Sequence, residues 1–227
     1  MRRTTSVTTL LYIMHKITRI FYKDDIYHIC NKSISHYQIF RNESAISHFQ
    51  IAINYYNSIS DKICLSKALK KPIEPQFILS RLKERVFFIL AYCIMPDHYH
   101  LLIKANHEKL ISKYINDLQN SYTRYYNKMN NRKGPLWQSR FRATYIEDDF
   151  TLLHVHRYIH LNPTTAGLVI KPEEWRWSSY RDYISDDNVL KTNREVSIKS
   201  IPQYKKFVDN QIDYQKTIKG IRRKLLE

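Results

Sequence analysis

His98-Tyr99-His100 sets two imidazoles two residues apart, inside the run Tyr92-Cys93-Ile94-Met95-Pro96-Asp97-His98-Tyr99-His100-Leu101-Leu102-Ile103-Lys104. The apolar residues after the second histidine, with Pro96 at the head of the segment, predict a buried strand. Side chains alternate faces along a strand, so His98 and His100 share one face and Tyr99 takes the other. Two imidazoles side by side on a rigid strand can grip one metal ion. Alone the pattern is weak, because a chain with 10 histidines produces His-x-His by chance.

A second segment strengthens it: Arg157-Tyr158-Ile159-His160-Leu161-Asn162-Pro163. Asp148 and Asp149 offer an N-cap, apolar residues from Phe150 to Leu161 recur at helical spacing, and Pro163 forbids continuation. The expectation is therefore a helix that stops before the proline. Tyr158 and Asn162 are four apart and lie on one face of it. A phenol and an amide oxygen so placed suit a nucleophile and a third metal ligand. Read alone, they better suit a packed aromatic and a helix cap, since aromatic residues on helix faces are usually packing. On the same helix His154-Val155-His156 repeats the His-x-His spelling, but there the two rings diverge. His156 and His160 are four apart and so could pair on zinc, yet no acidic residue joins them in a zinc-hydrolase pattern. They are expected to approach phosphates or face solvent.

The elements that must hold these residues follow from periodicity. Ile26 to Asn31 predicts a first strand, Glu43 to Tyr56 an amphipathic helix, and Lys70 to Pro75 a loop. Val86 to Ile94 predicts a second strand, paired tightly through Pro96-Asp97 with the histidine strand. Lys109 to Asn130 predicts a long helix and Arg142 to Ile146 a fourth strand. The order βαββαβ is the ferredoxin-like split motif, an α+β antiparallel sheet, here followed by the extra tyrosine-bearing helix. Residues 1–20 are read as an irregular basic lead, 21–183 as the main domain, and 184–227 as a basic C-terminal extension, helical between Tyr204 and Leu226.

Composition narrows the partner. The 37 Lys and Arg exceed the 21 Asp and Glu, giving a formal charge of +16 and an isoelectric point near 9.7. Such a field attracts polyphosphate and makes binding salt-dependent. The 18 tyrosines and nine phenylalanines offer planes for unpaired bases. An AT-rich genome would enrich the same residue types, so charge supports nucleic-acid binding without naming the ligand. Cys30, Cys64 and Cys93 are few and lack metal spacing, which points to a reducing cytoplasm. Thr8 to Met14 is too short to span a membrane. Three glycines leave no glycine-rich phosphate loop, so ATP is not expected.

The histidine motif after Met95-Pro96-Asp97 resembles that of the single-tyrosine HUH transposases. Gly134-Pro135-Leu136-Trp137-Gln138-Ser139-Arg140-Phe141, Tyr158-Ile159-His160-Leu161-Asn162-Pro163 and Trp175-Arg176-Trp177-Ser178-Ser179-Tyr180 resemble the REP-associated tyrosine transposase branch, in the same order, from about Tyr27 to Tyr183. One departure is Asn31-Lys32-Ser33, where the family carries an Asn-Arg-Gly-like turn. The resemblance implies Tyr158 as the nucleophile that forms a 5′-phosphotyrosine, with His98, His100 and Asn162 as ligands. Neutral ligands with open positions suit Mg²⁺ or Mn²⁺. It further implies single-stranded DNA beside a hairpin as substrate, a prokaryotic, nucleoid-associated cytoplasmic protein, and a monomer where simpler relatives are dimers. Lys113, Arg124, Lys128, Arg132, Lys133, Arg140 and Arg142 are then candidates for backbone contacts, and Trp137 for base stacking. Two alternatives stay open: an idle nucleic-acid binder of the same descent, and a metal-dependent hydrolase that does not use Tyr158.

Overall fold

The computed structural model describes residues 18–59, 65–70, 85–184 and 201–212. Most of the basic lead, Cys64, all but the first residue of the Lys70–Pro75 loop and everything after residue 212 lie outside the described residues. The strands are β1 Ile26–Lys32, β2 Phe87–Ile94, β3 His98–Ala105 and β4 Arg142–Ile146. The α-helices longer than four residues are α1 Glu43–Tyr56, α2 Ile111–Met129, α3 Asp149–Thr165, α4 Tyr180–Ile184 and α5 Ile201–Asp209. The sheet has the order β2-β3-β1-β4, every pair antiparallel, which is the expected split βαββαβ arrangement.

Alternation along the strands divides the molecule into layers. Odd-numbered residues of β1 and β3, among them Tyr27, Ile29, Tyr99, Leu101 and Ile103, enter one core with Phe49 and Ile53 of α1 and Tyr114, Leu118 and Tyr122 of α2. The opposite face carries Leu102, which meets Leu152, Val155 and Ile159 of α3. Both faces of the central strands are covered, so β2 reads as a continuous apolar run. A register shift between Ile89 and Ala91 reverses parity within β2, so that Phe87 and Ile89, then Tyr92 and Ile94, reach the same core.

The hairpin between β2 and β3 is as tight as the Pro96-Asp97 pair implies, with the Met95 N–H donating to the His98 carbonyl at 2.8 Å. The outer edge of β2 is sealed by the chain after α3. Ile94 N–H donates to Trp177 O at 2.9 Å, Ser179 N–H to Tyr92 O at 3.0 Å, and the Trp175 indole N–H to Ile94 O at 3.0 Å. Unpaired strand edges invite foreign strands, and the tryptophan-rich block occupies this one.

Helix α3 corrects one expectation. Asp148 is its N-cap, accepting from the Thr151 N–H at 2.7 Å, but the helix does not stop at Pro163; it continues to Thr165. A proline in a helix interior costs about 3 kcal/mol, but the helix runs only two residues past it, and Pro163 and Thr164 are both buried there. Packing therefore wins. The real stop is Gly167, whose φ of +72° suits a left-handed C′ position. Gly167 N–H donates to Thr164 O at 3.1 Å and Leu168 N–H to Pro163 O at 3.0 Å, the paired bonds of a Schellman cap.

The back of α3 holds a second correction. His156 and His160 neither face solvent nor approach a phosphate site; both are fully buried. The Tyr204 hydroxyl of α5 bonds His156 Nδ1 at 2.8 Å and also His160 Nδ1. His160 Nε2 meets Ser179 Oγ at 2.7 Å. Burial lowers the His156 pKa to about 3 and pushes His160 well below its usual range, so both rings are neutral. Tyr204 has one proton to give, so it donates to one ring and accepts from the other, and the two rings hold different tautomers. Leu161, Tyr180, Tyr183, Tyr204 and Val208 complete this third cluster.

Candidate active site

Strand register assembles the site. His98 pairs with Lys32 and His100 with Cys30, while His28 lies opposite Leu102. On the other side of β1, Cys30 pairs with Arg142 and His28 with Thr144. One face of the sheet thus carries His98, His100, His28, Cys30, Lys32 and Arg142, and α3 packs on that same face.

Each histidine of the motif is held at Nδ1. The Asp97 carboxylate meets His98 Nδ1 at 2.5 Å and also His36 Nδ1 at 3.2 Å. Burial alone would raise the Asp97 pKa, but the His98 hydrogen bond and charge, with His36 and Lys32 adding to them, hold the carboxyl well below the usual carboxylate range. His100 Nδ1 lies 2.9 Å from His28 Nε2. Their ring centroids are 5.1 Å apart with only 14° between planes, so with the nitrogens at 2.9 Å the rings meet edge to edge in nearly one plane, which suits a linear N–H···N bond. Burial, with Arg142 adding to it, lowers the His28 pKa to about 4. Burial first, then His98, His28 and Lys32, drives His100 well below the usual histidine range. Both rings are neutral, and one proton is shared along the bond.

With Nδ1 engaged, Nε2 is the remaining lone-pair position of each ring. His100 Nε2 is buried and has no hydrogen-bond partner among the described residues, which fits a metal ligand. The side chains of His28, Cys30 and His100 also bring one donor atom each within 4.8 Å of one another. That nitrogen and sulfur set would suit a softer ion. However, burial raises the Cys30 thiol to about 11, and the bond between the two rings occupies a nitrogen of each.

Tyr158 comes to this face from α3. Its ring stands edge-on to His100, with centroids 5.7 Å apart and 85° between planes, and edge-on to His28 at 6.5 Å and 82°. The side chain is half-buried. Asn162 turns back along the helix, its Nδ2 donating to the Tyr158 carbonyl at 3.0 Å. Since a carbonyl only accepts, this orientation fixes the amide and leaves Oδ1 as the atom available to a metal.

The basic candidates divide. Arg142 is exposed on the histidine face. Arg140 and Lys133 are exposed in the segment before β4, which is tied to the end of β1 by Gln138 N–H donating to Lys32 O at 2.8 Å. Lys113, Arg124 and Lys128 belong to α2, in the layer across the sheet from Tyr158, and Lys113 pairs with Asp117 at 2.7 Å. Arg132 braces its own loop, donating to Asn127 Oδ1 at 2.9 Å and to Pro135 O at 2.6 Å. Trp137 packs against Phe40, Phe49, Tyr99 and Tyr122 and donates to Gln119 O at 3.2 Å, so it sits in the α1/α2 core.

His28, Cys30, Lys32 and Asp97 were not singled out from the sequence for this site. Asp97 had a signal, because it adjoins His98 in a tight turn. The period-two series His28-x-Cys30-x-Lys32 puts these three on one face of β1, but only the pairing with β3 makes that face the histidine face.

Among the described residues no helix is long and apolar enough to cross a membrane. A REP-associated tyrosine transposase assignment in Haemophilus influenzae is 32% identical over 104 residues, covering 41% of this chain. The chain spans 59% of that relative's length. A solved REP-associated tyrosine transposase, bound to a REP hairpin, superposes with a TM-score of 0.52 at 15% identity, over 82% of this chain and 96% of the other; that likeness establishes the fold. The family described as Transposase IS200 like matches residues 26–162. With more than half of its 227 residues inside that match, the chain belongs to the IS200-like transposase family.

Proposed function

We propose that this chain cleaves and rejoins single-stranded DNA beside a hairpin, through a 5′-phosphotyrosine on Tyr158. The observation that carries the reading is the edge-on approach of the Tyr158 ring to His100, 5.7 Å between centroids, on the face that bears both motif histidines. His98 and His100, each through Nε2, would hold a divalent cation, Mg²⁺ or Mn²⁺, with the Asn162 Oδ1 as third ligand. Held by these residues, such an ion would supply neutralisation of phosphate charge and polarisation of the scissile phosphorus.

The chain's own groups account for the rest. Asp97 and His28 set the two imidazoles. The exposed Lys32 and Arg142 flank them and attract the backbone of the incoming strand. The Tyr158 oxygen attacks phosphorus and gives up its proton, the phosphotyrosine bond forms, the bond to the 3′ oxygen breaks, and that oxygen takes up a proton and leaves as a hydroxyl. A phenol with an ordinary pKa of about 10 is a far better leaving group than an alkoxide. A later 3′-hydroxyl therefore reverses the step without ATP. The solved relative's REP hairpin supports hairpin DNA as the partner. The placement of Tyr158 over its own sheet supports a monomer working within one chain.

The test is a labelled oligonucleotide bearing a hairpin and a single-stranded flank, incubated with Mg²⁺ or Mn²⁺ and run on a denaturing protein gel. The wild type should give a covalent adduct. Tyr158→Phe should give none while still binding the hairpin, because only a hydroxyl is lost. Cleavage at wild-type rate by Tyr158→Phe would refute the phosphotyrosine route and leave the hydrolase reading.

A further inference from the structure

His28 lies outside the His-x-His motif, yet it makes the closest polar contact to the buried ring of His100. We infer that His28 is a positioning residue for the metal centre: its Nε2 accepts the Nδ1–H of His100 and thereby fixes His100 as the tautomer whose Nε2 lone pair faces the site. The inference rests on the proposed role of His100 as a metal ligand.

Four observations carry it. The nitrogens are 2.9 Å apart, and the rings are nearly coplanar at 14°, the geometry of a directed bond. His28 and His100 are 3% and 5% exposed, so water does not compete for either nitrogen. His100 Nε2 has no other partner among the described residues, so the bond at Nδ1 is what decides the ring's tautomer. His98 is held in the same way at its own Nδ1, by Asp97 at 2.5 Å. Metal-bound histidines are ordinarily held by such partners at the second nitrogen. At Asp97 the partner is charged, since its side chain is one-fifth exposed. At position 28 a carboxylate would be buried beside a neutral ring with a heavy desolvation cost, and a neutral acceptor avoids that cost.

The same imidazole forms a wall for the nucleophile, because Tyr158 stands edge-on to both rings. His28 can therefore orient the ligand and limit the phenol ring together.

Two measurements on the full chain test this. In metal-free protein labelled with ¹⁵N-histidine, long-range proton–nitrogen spectra should show His100 protonated at Nδ1 and unprotonated at Nε2, with the signals assigned by their loss in His100→Ala. The opposite tautomer overturns the inference. In the second measurement free Mn²⁺ is followed by electron paramagnetic resonance during titration. His98→Ala and His100→Ala should bind Mn²⁺ weakly. His28→Leu should weaken binding roughly 10–100-fold, and His28→Gln, whose amide oxygen can accept the same bond, should recover most of the loss. Wild-type affinity in His28→Leu beside a defect in His100→Ala overturns the positioning role and leaves the metal site standing. A loss in both His28→Leu and His28→Gln as deep as in His100→Ala makes His28 a ligand instead. Unchanged affinity in His100→Ala overturns both readings.

Discussion

Replacing Tyr204 with Phe removes one oxygen atom and keeps the ring that fills the third cluster. That oxygen bonds two buried nitrogens one helical turn apart, His156 Nδ1 and His160 Nδ1. Both rings are wholly buried, so water cannot replace the lost partner. A buried polar group left unpaired costs about 1–3 kcal/mol, and two of them share one network in which a tautomer change relieves part of the strain. The expected loss is about 2–4 kcal/mol. In a domain of this size about 1 kcal/mol moves Tm by roughly 2–4 °C, so Tm should fall by about 4–15 °C. Urea unfolding followed by tryptophan fluorescence, with wild type and variant compared at equal slope, measures it. Mn²⁺ binding to the folded variant should be unchanged, because the network runs from α3 to Ser179 at the β2 edge, whereas the motif histidines sit on β3. A loss below about 0.5 kcal/mol, the range of an ordinary surface substitution, would refute the bridging role of the hydroxyl.

Acid should weaken the same region. The unfolded chain protonates both histidines near pH 6.5, whereas folded His156 resists until about 3 and folded His160 is also held well below normal. Their stabilising contribution is full above pH 6.5 and is lost as pH falls toward the folded values, at up to about 1.4 kcal/mol per pH unit for each ring. Between pH 6.5 and 5.0 His156 should cost roughly 1.5 kcal/mol, with His160 acting in the same direction, read from urea midpoints, and a flat profile would contradict neutral burial. Lys32→Ala and Arg142→Ala should each reduce the slope of log affinity for hairpin DNA against log salt by about one. Lys113→Ala, across the sheet and paired with Asp117, should change it less; equal effects would place the DNA elsewhere.

Local chemistry was largely legible in the sequence. The Arg142–Ile146 strand, the Asp148 cap and the shared face of His98 and His100 all depend on neighbours within a few residues, and they stand as the periodicity implies. The end of α3 was misread because Pro163 is a local signal, while the burial that overrides it comes from β2 and from the chain after α3. Gly167 was the better marker. His28 and Cys30 could not be placed at the site, because their neighbours on β3 are some 70 residues away and register between distant strands is set by the whole core. His156 and His160 were read as outward-facing because the hydroxyl they share is 44 to 48 residues further along.

That distance has a consequence for the order in which the protein assembles. A nascent chain is made N-terminal end first, at about 5–20 residues per second. The strands bearing His28, His98 and His100 and the helix bearing Tyr158 all emerge before Tyr204 exists. Until it arrives, Ser179, Tyr180 and Tyr183 already cover His156, His160 and Leu161, but the two Nδ1 atoms lack the hydroxyl they share. The helix that carries Tyr158 can therefore pack on the sheet first, and its bonds to Tyr204 close last. A chain that ends before residue 204 holds every candidate reactive group and the packing of α3 on the sheet, but lacks the one hydroxyl that ties the two buried imidazoles together.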